Sequence, residues 1–146
     1  MKILLADDDT DDCIFFRRAI QELQLSTNLI TVHDGEELMS MLTDESCVLP
    51  DVLYLDLNMP RKNGFECLTE IKKSEKLNRF PVVIFSTSFE QEVVNQLYIN
   101  GAQFFIRKPA EFQQFKKIIH QSLVLIRDGT VLQTTKENFV LTLHNN

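Results

Sequence analysis

The sequence predicts an α/β fold, a doubly wound parallel sheet of five strands with helices on both faces. Short apolar runs alternate with longer amphipathic stretches in five strand-helix units. The strand segments read as near-continuous apolar runs, the pattern of a sheet covered on both faces. A length of 146 residues fits one domain with a single core.

The first strand is Lys2 to Ala6, an apolar run that stops at Asp7, Asp8 and Asp9. From Asp11 to Leu25 the residues Ile14, Phe15, Ile20 and Leu23 recur at mostly helical spacing. Leu29 to His33 is the second strand, and Asp34-Gly35 precedes a helical stretch from Glu36 to Thr43. Val52 to Leu55 is the third strand, ending at Asp56; Asn63-Gly64 is a turn signal before a helix from Phe65 to Lys73. Pro81 opens the fourth strand, Val82 to Phe85, and Ser86-Thr87-Ser88 ends it. A helix from Glu90 to Ile99 is closed by Asn100-Gly101, a good C-terminal stop. Phe104 to Ile106 is the fifth strand, and Glu111 to Arg127 the last helix.

Composition removes several function classes. With 44% hydrophobic and 25% charged residues the chain is neither disordered nor collagen-like. A net charge of -6 has the wrong sign for gripping nucleic acid through a broad basic face. Apolar runs such as Val82 to Phe85 are far too short to span a bilayer, and Met1-Lys2 leads straight into a strand rather than a signal peptide. Cys13, Cys47 and Cys67 are scattered and form no CxxC pair, so neither a disulfide framework nor a zinc site is expected. A cytoplasmic location, with no membrane partner, is the expectation.

In open parallel sheets the reactive groups gather beyond the carboxyl ends of the strands. Here those positions hold Asp7 and Asp8 after the first strand, Asp56 after the third, Ser86 after the fourth and Lys108 after the fifth. Carboxylates a few ångströms apart repel each other and tend to keep their protons. A divalent cation relieves that repulsion, and an oxygen-only donor set suits Mg²⁺. Lys108 adds a compact positive charge and Ser86 a neutral donor, so the set reads as a site for a transferable phosphoryl group.

The chain resembles the receiver domain of two-component response regulators. The matching residues are Ile3 to Asp9, then Val52 to Pro60 with Gly64 behind it, Pro81 to Thr87, and Gly101-Ala102 leading to Phe105 and Lys108-Pro109. The match runs in unbroken order from residue 2 to about 125, giving a receiver domain over 1–127 and a tail over 128–146. The Asn58 to Gly64 stretch further resembles stand-alone receivers that work beside phytochrome-like or hybrid sensor kinases. The resemblance implies the flavodoxin-like strand order 2-1-3-4-5.

It also implies roles. Asp56 is the phosphoacceptor nucleophile, taking phosphoryl from a kinase phosphohistidine. Asp8, Asp56 and the backbone carbonyl of Asn58 bind Mg²⁺, and Asp7 acts through a metal-bound water. Lys108 neutralises a phosphoryl oxygen. Ser86 is the hydroxyl that moves toward the phosphoryl group, and Phe105 the aromatic switch that turns inward when it does. Lys108-Pro109 is a cis peptide. The implied activity is phosphorelay signalling by a switched protein surface rather than substrate turnover. Implied partners are a histidine kinase or a phosphotransfer protein, and a second copy of the chain.

Ordinary readings stand beside these. Asp favours helix caps and first turns, yet five acids among residues 7 to 12 exceed what one cap needs. Asp7 and Asp8 therefore read as functional, and Asp9, Asp11 and Asp12 as capping. Lys108 alone reads as a surface lysine; its place at a strand end changes that. Ser88 reads as a turn residue, the cysteines as buried small hydrophobes, and His33, His120 and His144 as structural or surface groups. A phosphohydrolase with an aspartyl-phosphate intermediate needs a second Asp two positions after the nucleophile; Asn58 stands there and cannot shuttle a proton. A degenerate scaffold is disfavoured because the key polar residues are all present. Neither Asn58 nor Ser88 offers an ionised group to orient water, so slow-to-moderate self-dephosphorylation is expected. In the tail, Asn138 to Leu143 alternates like a strand or extended segment that docks on its own domain or a second subunit, with a disordered end as the alternative.

Overall fold

The computed structural model describes residues 1–129 and 134–143. Five parallel strands, β1 (Lys2–Ala6), β2 (Asn28–Val32), β3 (Val52–Leu55), β4 (Val82–Ser86) and β5 (Phe104–Arg107), lie in the order β2-β1-β3-β4-β5. They alternate with α1 (Thr10–Glu22), α2 (Gly35–Thr43), α3 (Gly64–Lys73), α4 (Gln91–Ile99) and α5 (Phe112–Arg127). The predicted α/β class, strand number and strand order are all present.

Side-chain alternation splits each strand between two cores. Ile3, Leu5, Val52, Tyr54, Val83, Phe85 and Ile106 face Phe16, Ala19, Phe115 and Ile119 of α1 and α5. Leu4, Leu53, Leu55, Val82, Ile84 and Phe105 face Leu38, Leu42, Leu68, Ile71, Val94 and Leu97 of α2, α3 and α4. Both faces are covered, so the strands need apolar residues at odd and even positions alike, which is why they read as continuous runs. The buried Tyr54 hydroxyl pairs with Ser122 of α5, which satisfies two polar groups inside that core.

Helix starts follow capping chemistry. Asp9 accepts from the Asp12 N–H, Asp34 from Glu37, and Asn63 and Glu66 form a reciprocal capping box on α3. Helices α2 and α3 consequently begin one residue before the expected Glu36 and Phe65. Helix α1 ends at Glu22 instead of continuing to Leu25, because Gln24 adopts a left-handed φ of 52°.

The tail docks on its own domain. A short 3₁₀ turn, Lys136–Asn138, is followed by a parallel bridge between Val140 and Phe105 on the open edge of β5. The Phe105 N–H donates to the Phe139 carbonyl at 2.9 Å, and the Leu141 N–H donates to the Phe105 carbonyl at 2.8 Å. Phe139 is 1% exposed and meets the Tyr98 ring edge-on at 5.3 Å. Of the strand or extended segment expected over Asn138 to Leu143, Asn138 ends the 3₁₀ turn and Val140 forms a single bridge. Residues 130–133 and 144–146 of the tail, His144 among them, lie outside the described residues.

Candidate functional site

The last rungs of the sheet set the site. Ala6 pairs with Leu55 in the β1–β3 register, so the next residues of each chain, Asp7 and Asp56, leave the sheet side by side. The Asp56 N–H donates to the Ala6 carbonyl at 2.9 Å and the Asp7 N–H to the Val32 carbonyl at 3.0 Å. On the far side the Lys108 N–H donates to the Ser86 carbonyl at 2.9 Å. Asp7, Asp56 and Lys108 are therefore each the first residue past a strand, held by a backbone hydrogen bond to the neighbouring strand, whereas Ser86 is the last residue of β4 rather than the first beyond it. Gly64 closes the rim: a Cβ on it would lie 2.1 Å from the Asp56 carbonyl oxygen, so only glycine lets α3 start this close to the strand end.

The side chains converge. Asp7, Asp8 and Asp56 each offer a carboxylate oxygen within 4.8 Å of the others. Asp7 is fully buried, Asp56 is 5% exposed, and Asp8 is open to solvent. Lys108 Nζ donates to Asp7 at 2.7 Å and to Asp12 at 2.9 Å, and lies 3.7 Å from Asp56. Ser86 is fully buried, with its hydroxyl 3.1 Å from that of Ser88. The Asn58 amide donates to the Ser88 hydroxyl at 3.3 Å.

Burial governs the charges. It is the main cause raising the Asp56 pKa to about 7; Lys108 opposes it, the Asp7 charge adds to it, and the Asn58 N–H opposes it again. Burial likewise raises Asp7 against the pull of Lys108. For Lys108 burial disfavours the charge, but the Asp7 and Asp12 hydrogen bonds and the Asp56 charge outweigh it and hold the amine protonated. Asp7, Asp8 and Asp56 bring carboxyl oxygens within 4.8 Å of one another, two of these residues are buried, and Lys108 lies beside Asp7 and Asp56. A hard divalent cation fits that donor set, with Asp8 on its solvent-exposed side.

The structure brings Asp7, Asp8, Asp56, Ser86 and Lys108 to one rim, with Asn58 beside them. One expectation changes. The Lys108–Pro109 peptide is trans, not cis; the two X–Pro isomers differ by only about 0.5–1 kcal/mol, so a proline at this position does not by itself dictate cis. Phe105, the expected switch position, is fully buried, with its ring edge-on to Phe89 at 5.7 Å. A phenylalanine has no hydroxyl to hold it in water, and the tail covers its strand. Asp12 is the residue sequence reasoning left out: its N–H serves the helix cap while its carboxylate reaches Lys108. The surplus of acids over capping need was the available signal.

The family model for the response regulator receiver domain matches residues 3–120. Response regulator Rcp1 of Synechocystis sp. is 30% identical over 121 residues, covering 80% of this chain and 82% of that protein. The probable methanogenesis regulatory protein FilR2 of Methanothrix harundinacea is 29% identical over 122 residues, covering 82% and 79%. Among solved structures, the phosphorylated cyanobacterial phytochrome response regulator RcpA superposes with a TM-score of 0.82 at 31% identity, covering 91% of this chain and 98% of that one. The Mn²⁺-bound form of Rcp1 superposes with a TM-score of 0.79 at 28% identity, covering 92% and 99%.

Proposed function

The chain belongs to the response regulator receiver domain family and works in phosphorelay signalling, and from that premise we propose that Asp56 accepts the phosphoryl group. The observation that carries this is the convergence of Asp7, Asp8 and Asp56 with the Lys108 ammonium 3.7 Å from the Asp56 oxygen. In the transfer an Asp56 carboxylate oxygen forms the new bond to phosphorus as the bond to the imidazole nitrogen of a kinase phosphohistidine breaks. The imidazole leaves with the electron pair and takes up a proton.

Lys108 receives a phosphoryl oxygen through its remaining N–H, which balances charge as it moves. Ser86 donates its hydroxyl to a second oxygen after turning from Ser88. Mg²⁺ would be held by Asp8, Asp56 and the Asn58 carbonyl, with Asp7 acting through water, and would supply the charge that lets these acids and an anionic phosphoryl group share one site. A Mn²⁺-bound relative and the acidic cluster support a divalent ion here.

The chain is a phosphoacceptor switch, not a turnover enzyme. Its output is a protein surface built on α4, β5 and α5, reshaped through Ser86 and Phe105. Partners are a sensor histidine kinase or phosphotransfer protein, with self-association as a second contact of that surface. The place of action is the cytoplasm; among the described residues no helix is long and apolar enough to cross a membrane.

The test is incubation with Mg²⁺ and a small phosphodonor, followed by intact mass. The parent chain should gain one phosphoryl group and Asp56→Asn should gain none; modification that persists in the variant would overturn the assignment. Loss of phosphate should be slow to moderate, and Ser88→Glu, which places a carboxylate beside the leaving site, should speed it about tenfold. Equal rates would remove Ser88 from the account.

A further inference from the structure

An ammonium carries three N–H donors on a flexible four-carbon stem, so its direction is set by what it is tied to. Lys108 Nζ is tied to Asp7 at 2.7 Å and to Asp12 at 2.9 Å, while Asp56 at 3.7 Å lies beyond hydrogen-bond length. The lysine side chain is only 4% exposed, so bulk water hardly competes for those donors. Two ties leave one N–H for a third acceptor.

The two anchoring carboxylates differ in what else they must do. Asp7 lies within 4.8 Å of Asp8 and Asp56 and shares their cation site. A cation there draws the Asp7 charge away from the amine. Asp12 is outside that cluster, and its cap contribution is made by the backbone N–H, which leaves the carboxylate free for Lys108. A tie that metal binding does not weaken is the one that can hold the lysine while the pocket is loaded.

We propose that Asp12 is a positioning residue: it anchors the Lys108 ammonium so that the remaining N–H stays directed at the phosphoryl oxygen arriving on Asp56. The inference rests on the phosphoacceptor reading of Asp56. It opposes a purely electrostatic role, in which an additional negative charge near the pocket only repels the anionic donor.

A double-mutant cycle on the full chain separates these roles. Phosphoryl uptake from a small phosphodonor with Mg²⁺ is followed by mass in the parent chain, Asp12→Asn, Lys108→Ala and the double variant. Asp12→Asn should slow uptake about three- to tenfold when Lys108 is present and have no further effect in the Lys108→Ala background. Equal slowing in both backgrounds, or unchanged or faster uptake with Lys108 present, overturns the proposal. A second readout needs no chemistry: hydrogen exchange of the Lys108 ammonium, followed by NMR, should be faster in Asp12→Asn, and unchanged exchange overturns the proposal whatever the Lys108→Ala rate. Circular dichroism checks that each variant is folded. Uptake that persists in Asp56→Asn would instead remove the reading of Asp56 on which the proposal rests.

Discussion

A nucleophilic carboxylate has to be ionised, and Asp56 sits where ionisation costs most. Burial raises its pKa to about 7, far above its ordinary value of 3.8. In the metal-free protein the folded state therefore holds a proton that the unfolded state releases near pH 4, so stability falls as pH rises from about 4 to 7. Asp56→Asn has no such proton. The variant should be more stable than the parent at pH 8 by about 1–3 kcal/mol, with the gap closing toward pH 5, as read from denaturant unfolding in chelator. A cation competes with the same proton. Mg²⁺ affinity measured by calorimetry should be about tenfold weaker at pH 6 than at pH 8. The acids and the lysine could be found in the sequence because each follows an apolar strand. Asp12 was harder to single out: the surplus of acids hinted at a role, but a helix-start aspartate looks the same whether its carboxylate caps the helix or reaches across to another element.

At the scale of elements, the site is a product of strand ends brought level. Asp7 and Asp56 are neighbours because Ala6 pairs with Leu55, and Lys108 joins them through its bond to the Ser86 carbonyl. Helix α3 must start against that rim, and Gly64 is where it touches. Gly64→Ala should push α3 away from the Asp56 carbonyl, costing about 2–3 kcal/mol in denaturant unfolding and slowing phosphoryl uptake. Strand positions were legible because apolar runs bounded by acids and prolines leave few alternatives. Helix ends were less so: the left-handed turn at Gln24 is made by a residue type that gives no warning of it. The trans Lys108–Pro109 bond escaped for a similar reason, as the proline permits both isomers and the surrounding fold chooses.

Across the whole molecule the tail ties the β5 edge of the sheet to α4. A bare β5 edge would present unpaired N–H and C=O groups, and Phe139 and Leu141 pair with the N–H and C=O of Phe105. Phe139 contributes a fully buried ring to the core shared with α4. Phe139→Ala should lower stability by about 3 kcal/mol, a core-sized loss from a segment outside the receiver pattern, measurable by chemical denaturation. The sequence showed that this segment alternates, but alternation does not say which edge it covers; the strand order leaves both β2 and β5 open, and the hydrogen bonds to Phe105 place the tail on β5.

On the reading proposed above, one carboxylate, Asp56, becomes the phosphoryl acceptor because the strand ends place Lys108 and a cluster of acids around it. Borohydride reduction converts an aspartyl phosphate to homoserine, which peptide mass spectrometry can locate. After treatment with Mg²⁺ and phosphodonor the account predicts homoserine at position 56, and none when the cation is chelated. Homoserine at position 7, 8 or 12, or at none of these after full phosphodonor treatment, would contradict it.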